Sequence, residues 1–338
     1  MKAAVYTRYG PPDVVHVADV AEPVPRDHDV VIAVRAASVN PLDGVMAGKP
    51  VSLRVVTGLR GPKFTRPGVD VAGEVAATGA RVTRFHPGDQ VFGLCLDDPG
   101  ARGVAAWMHK QGSFAEYACV PEGMLAVKPG GVTFDQAAAA PVAALTALQG
   151  LRDKARVRAG QKVLINGAAG GVGTFAVQIA KWLGADVAGV CSARNADLVR
   201  SIGADRVIDY TQQDFTTDGS RYDLIFDCVG NHSLSACRRA LTRTGTYLGV
   251  GGPGSRWLIG LLAGVARIIV TSPLVSQRLV TFIAKPDLAD LDTIAELMAT
   301  GRVTPVIDRR YGLGDVPEAL RYQQARHARG KIIIDPGM

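Results

Sequence analysis

Apolar positions fall into two textures along the chain. Through residues 1–130 they come in short runs, such as Val30-Val31-Ile32-Ala33-Val34 and residues 71–75. Gly10-Pro11-Pro12, Pro87-Gly88-Asp89 and Pro129-Gly130-Gly131 cut them apart. Short runs between turn signals predict a small, strongly curved β-domain. At Asp135 the texture changes. Residues 136–151 are alanine-rich and predict helix, broken only by Pro141. Val163-Leu164-Ile165 then reads as a buried parallel strand. Phe175, Val177, Ile179, Ala180 and Leu183 recur at helical spacing over residues 174–183, and Gly184 stands where a helix C-terminus favours glycine. Residues 187–191 complete a strand–helix–strand unit. Further strands are predicted at residues 206–208, 223–227 and 246–250, with helical segments between. This alternation implies a doubly wound parallel sheet with its ligand at the carboxyl ends of the strands. The tail predicts a helix (288–297), a strand (303–307), a helix (316–323) and a strand (331–334). Its mixed texture suggests a return to the first domain. The expected fold class is therefore α/β, with a β-domain over residues 1–130 and 286–338 and a parallel-sheet domain over 131–285.

The glycine cluster between the first strand and helix of that sheet carries candidate chemistry. Gly167, Gly170, Gly171 and Gly173 let the backbone turn tightly and approach phosphates, while the helix start supplies N–H donors and a positive dipole end. Ala168 replaces the first glycine of a G-x-G-x-x-G fingerprint, with Gly170 and Gly173 filling the other two. Placed between strand and helix, the motif points to a dinucleotide; a purely structural turn is the alternative.

Residues 257–284 are the most apolar stretch. Arg267 and Arg278 interrupt it, so its charge-free runs are too short to cross a bilayer. A buried helix and a strand (279–283) at an interface or pocket are expected; a surface for lipid-like substrates or weak membrane association is the alternative. Net charge is +7, but the basic residues are scattered and form no nucleic-acid arm. The five cysteines lack C-x-x-C pairing and read as core residues of a reducing compartment. The first residues lack the apolar core of a secretory signal, which makes a cytoplasmic location the expectation.

Several motifs together resemble the medium-chain dehydrogenase/reductase superfamily, in its zinc-free quinone oxidoreductase branch. They are Ala37-Ser38-Val39-Asn40-Pro41-Leu42-Asp43, Pro67-Gly68-Val69-Asp70-Val71-Ala72-Gly73-Glu74-Val75, Gly112-Ser113-Phe114-Ala115-Glu116-Tyr117, the glycine turn, Gly203-Ala204-Asp205 and Arg329-Gly330-Lys331. Cys191-Ser192-Ala193-Arg194-Asn195 and the apolar insertion after Gly252 resemble its organellar quinone oxidoreductase-like subgroup. The resemblance implies a GroES-like β-domain built from both chain ends, a Rossmann domain between them, and homodimers paired through an edge strand, here residues 279–283.

Zinc members of the superfamily place ligands at positions matching Asn40, Gly68-Val69-Asp70 and a cysteine near Val142. Here only Asp70 could coordinate, and Cys95 alone remains of the structural cysteine lobe. No metal is therefore expected. Without a Lewis acid to deprotonate an alcohol, hydride should pass to acceptors that are already electrophilic, namely quinones or α,β-unsaturated carbonyl compounds. Reduction of 2-enoyl thioesters, and an NADPH-binding protein without turnover, are the alternatives. No acid follows the second strand of the glycine unit. Ser192 and Arg194 suit a 2′-phosphate, so NADPH is the expected cofactor, although Ser192 or Asn195 could simply cap the next helix. Tyr210 matches a family tyrosine beside the same phosphate. The resemblance carries over further cofactor contacts at Thr146, Ala169, Gly170, Gly171, Val172, Gly173, Asn231, Val250, Phe282 and Lys331, the last being otherwise a solvated lysine. Asn40 is the candidate catalytic donor, its amide offering two N–H groups. Val45, Met46 and Val51 follow it where many quinone reductases carry a pocket tyrosine. Asp43 and Asp70 read as internal anchors.

Overall fold

The computed structural model describes residues 1–48, 61, 62, 65–97, 112–250, 271, 272 and 275–338. It begins with paired strands β1 (Lys2–Val5) and β2 (His16–Asp19), followed by β3 (Asp29–Val39), α1 (Pro41–Gly48) and β4 (Asp70–Thr78). β5 (Gln90–Leu94), β6 (Tyr117–Pro121) and β7 (Leu125–Val127) complete the first pass. Residues 136–151, predicted as helix broken at Pro141, form α2 (Phe134–Ala139), α3 (Pro141–Leu148) and a π-helical stretch, Gln149–Ala155, that was not foreseen. Pro141 causes the first break, because it has no N–H for the preceding turn.

Parallel-sheet strands follow: β8 (Lys162–Asn166), α4 (Gly171–Trp182), β9 (Asp186–Cys191), α5 (Ala196–Ser201), β10 (Arg206–Asp209), β11 (Tyr222–Asp227), α6 (Leu234–Arg239), β12 (Leu241–Val250) and β13 (Arg278–Phe282). The tail adds α7 (Leu288–Ala299), β14 (Ile307–Gly312), α8 (Val316–Gln324) and β15 (Lys331–Asp335). Contacts divide the chain into two units. The first holds Met1–Leu145, Lys285–Gly301 and Pro305–Met338; the second holds Thr146–Ala284 and Arg302–Thr304. The first unit thus keeps α2 and the start of α3, which lie beyond residue 130.

In the first unit seven strands form one sheet, ordered β14-β15-β3-β4-β5-β7 with β6 also on β3. β3 is long enough to take two neighbours on one edge: β6 along Asp29–Ala33 and β15 along Ala37–Val39. Its register with β4 shifts twice, which bends the sheet. The pairing of β15 brings the chain's end back to its beginning. Ile332 and Ile334 then pack into the same core as Val30, Ile32, Val71, Val91 and Phe114.

In the second unit six parallel strands run in the order β10-β9-β8-β11-β12-β13. This is the doubly wound arrangement, whose order reverses between β8 and β11. α4 is cut off sharply: Gly184 takes φ +82, its N–H bonding to Lys181 and that of Ala185 to Ala180.

Two sequence expectations need correction. Residues 303–307 are not a strand. The Gln178 side chain takes both the N–H and the carbonyl of Thr304, and Pro305 has no N–H, so pairing starts only at Ile307. β12 begins at Leu241, well before residue 246. Most of residues 257–284, including the apolar insertion, lies outside the described residues. β13 lies within that stretch, one residue ahead of the predicted 279–283.

Candidate active site

β8 delivers the chain into the glycine turn at the carboxyl edge of the parallel sheet. Gly167 adopts φ +87, and the N–H groups of Gly167 and Ala168 both bond to the Val190 carbonyl on β9. A Cβ on Gly173 would collide with the Gly167 carbonyl, so only glycine lets α4 start this close to the turn. Ala168 is accommodated because its neighbour across the strands is Gly189, where an added Cβ would stand 3.0 Å from the Ala168 methyl. Gly170 occupies the N-cap of α4. No side chain caps this end and its first turn carries no acid. The first-turn N–H groups of Gly171, Val172 and Gly173 have no acceptor within the helix, the arrangement that suits an anion at a helix start. Ala169 is buried behind them.

β9 ends at Cys191, buried beside Asp209 of β10, and burial with that carboxylate pushes its thiol up to about 11. Ser192, Arg194 and Asn195 follow. Neither Ser192 nor Asn195 caps a helix with its side chain, although each occupies an N-cap position. The capping alternative therefore does not hold. Asn195 Nδ2 instead donates to Ser192 Oγ at 3.3 Å, and its buried Oδ1 has no hydrogen-bond partner among the described residues. An orphaned amide oxygen beside a hydroxyl and an exposed guanidinium fits a ribose with a phosphate on it. Asp209, which ends β10 in register with Cys191, accepts from the N–H and hydroxyl of Thr211. Tyr210 is 60% exposed just beyond it.

Asn231 follows β11 and is exposed, and Val250 ends β12 in register with Phe282 on β13. Phe282 reaches toward Gly150 of the π-helical stretch, where a Cβ would stand 3.1 Å from its ring. Thr146 is half-buried on α3. Sequence reasoning missed Asn166, Asp227 and Tyr247. Asn166 Nδ2 donates to Asp227 Oδ1 (2.8 Å) and Asn231 Oδ1 (2.9 Å), and the Tyr247 hydroxyl donates to Asp227 Oδ2 (2.9 Å). A polar residue closing an apolar strand just before the glycine turn was the available signal for Asn166.

The first unit holds a second polar cluster, in which Asn40, Asp70 and Lys331 meet. Lys331 is 3% exposed, which rules out the solvated alternative. Its Nζ donates to Asn40 Oδ1 (2.7 Å) and Asp70 Oδ2 (3.1 Å). Asp70 Oδ2 also accepts from Ser38 Oγ (2.6 Å) and Asn40 Nδ2 (2.9 Å), and Oδ1 from the Val142 N–H (2.9 Å). The other Asn40 Nδ2 hydrogen makes a longer contact, 3.4 Å, to the Ser38 carbonyl. Both amide hydrogens expected to serve a substrate are thus engaged within the unit. Lys331 has three N–H groups and only two of them find partners among the described residues. Asp43 accepts from the N–H groups of Asn40 (2.7 Å) and Gly68 (3.3 Å). Burial, aided by Asp70, nevertheless pushes its carboxyl up to about 7, against the pull of those donors and Lys331.

Residues 26–130 match the alcohol dehydrogenase GroES-like domain family, and residues 202–334 match the zinc-binding dehydrogenase family. The chain is 32% identical to the chloroplast envelope quinone oxidoreductase homolog of Arabidopsis thaliana, over 99% of its own length and 98% of the relative's. It belongs to the quinone oxidoreductase branch of the medium-chain dehydrogenases/reductases. This branch member is also 31% identical to the chloroplastic NADPH-dependent alkenal/one oxidoreductase of Arabidopsis thaliana, covering 99% of this chain and 80% of the relative. Among solved structures it superposes on the quinone oxidoreductase of Coxiella burnetii with a TM-score of 0.84, at 28% identity and 99% coverage of each. The second family description names zinc, and the donor set here does not fit it. Asp70 is bonded to an ammonium instead of standing ready for a cation. No group of three or more His, Cys, Asp or Glu among the described residues could hold a metal ion.

Proposed function

We propose that this oxidoreductase is a zinc-independent reductase that uses NADPH to reduce quinones or α,β-unsaturated carbonyl compounds. The observation that carries the reading is the end of β9. Ser192, the exposed Arg194 and the Asn195 oxygen without a partner among the described residues stand there, and residues 192–196 following the strand contain no Asp or Glu. When bound, NADPH supplies the hydride. The residues assigned to hold it are Thr146, Ala169, Gly170, Gly171, Val172, Gly173, Ser192, Arg194, Asn195, Tyr210, Asn231, Val250 and Phe282. The start of α4 takes the pyrophosphate, and Arg194 and Ser192 take the 2′-phosphate.

Hydride added to the far carbon of an enone leaves charge spread over an enolate, which hydrogen-bond donors stabilise and water protonates at carbon. In the first unit we assign that donor role to the third N–H of Lys331, in place of the cofactor contact expected for it. Asn40 and Asp70 then serve by seating the ammonium. The cytosol is the proposed place of action. A homodimer paired through β13, an edge strand of the six-stranded sheet, is the proposed assembly. No helix among the described residues is long and apolar enough to cross a membrane.

The test is consumption of NADPH and NADH by purified protein with quinones, enals, long-chain enones and 2-enoyl thioesters. Turnover of quinones or enones with NADPH is expected. Preference for thioesters would move the assignment to enoyl reduction, and tight NADPH binding without turnover to a binding protein.

A further inference from the structure

The network at the carboxyl edge of the parallel sheet has a directional arrangement. Asn166 and Asp227 close β8 and β11 in register, and Tyr247 lies on the adjoining β12. Asp227 Oδ1 accepts from the N–H groups of Val229 (3.0 Å) and Gly230 (2.9 Å) as well as from Asn166, so the loop after β11 is wound round a buried carboxylate. Gly230 takes φ +68 to complete the turn. Burial, then the Asp227 charge, pushes the Tyr247 phenol upward, which keeps it a donor. These bonds alone would fix the loop. The Asn166–Asn231 bond does something else: it directs one hydrogen of a buried amide to an exposed side chain. With its Oδ1 held by Asn166, the exposed Asn231 has the two N–H donors of its Nδ2 to offer a ligand at the strand ends.

We infer that Asn166 is a positioning residue for the nicotinamide cofactor. It acts through Asn231, whose Nδ2 N–H groups bind a ribose or carboxamide oxygen of the nicotinamide half. Asp227 and Tyr247 hold Asn166 in the one orientation that permits this. The inference rests on the nicotinamide-dependent reading above.

Binding of NADPH and of adenosine 2′-phosphate 5′-diphosphate, which lacks both the nicotinamide and its ribose, is measured by titration calorimetry alongside thermal melting. Asn231→Asp keeps the acceptor for Asn166 and removes the Nδ2 donors. It should weaken NADPH about tenfold while leaving the fragment's affinity unchanged, with melting showing that the variant is folded. Asn166→Ala should cost NADPH a similar factor, and the Asn166→Ala/Asn231→Asp double variant should lose no more than the worse single one. Unchanged NADPH affinity in Asn231→Asp, additive losses in the double variant, or equal loss of the fragment would overturn the inference alone. Failure of the wild type to bind NADPH would overturn the cofactor reading with it.

Discussion

Asp70 and Lys331 in the first unit and Asn166 and Asp227 in the second are all nearly inaccessible to solvent, yet the two clusters end differently. The first contains a buried ion pair whose carboxylate is hydrogen-bonded on both oxygens, with one lysine N–H left over among the described residues. The second ends in Asn231, an exposed amide with its oxygen tied inward. Stability and chemistry are inseparable in the first, because removing either charge strands the other in low dielectric. In the second the outermost group can be changed without exposing any buried charge. A ligand-facing residue can therefore be tested cleanly in one unit and only through compensated variants in the other.

The largest expected effect comes from the first cluster. Lys331→Met should lower stability by about 3–5 kcal/mol in chemical denaturation, since the Asp70 carboxylate keeps its bonds from Ser38, Asn40 and Val142 but loses the lysine's bond and its counter-charge. The Asp70→Asn/Lys331→Met double variant should recover much of that loss. A Lys331→Met protein as stable as the wild type would break the comparison.

Asp43 sharpens it next. Its carboxyl titrates near 7 in the folded chain, above the ordinary 3.8. The folded state therefore holds this proton more tightly than the unfolded state does. Asp43 favours folding fully below pH ~4, and that contribution, up to about 4 kcal/mol, disappears as pH rises through 7. Asp43→Asn should flatten the melting temperature across that window. An unaltered profile would place the carboxyl among ordinary acids.

Much of the fold was legible because parallel strands buried on both faces read as near-continuous apolar runs, as in Val163 to Ile165 and Leu224 to Phe226. β1 and β2 were not: β2 is mostly exposed and has no run to read. Residues 303–307 misled for the opposite reason. Val303 and Val306 look like a strand, but the Gln178 link to Thr304 spans 126 positions. The site divides in the same way. The glycine turn and the missing acid after β9 are local in sequence and were visible. The Lys331–Asn40 bond joins residues 291 apart, so the sequence showed two candidate residues without showing that each occupies the other. Tyr247 looked like an ordinary strand aromatic until its hydroxyl was seen on Asp227.

Smaller effects test the second unit. Arg194→Ala should weaken NADPH roughly 10- to 100-fold in fluorescence titration and leave NADH nearly unchanged, as expected for a charge-assisted contact to phosphate. Ser192→Ala should act in the same direction by about fivefold, the loss of one neutral hydrogen bond. Equal losses for both dinucleotides would mean that this loop shapes the ribose pocket without reading the phosphate.

The most direct measurement is also the simplest: calorimetric titration of the unmodified protein with NADPH and with NADH under one buffer and salt condition. The end of β9 predicts NADPH binding at least about tenfold tighter, a difference of about 1.4 kcal/mol. NADH binding as tight as NADPH, or tighter, would contradict the account.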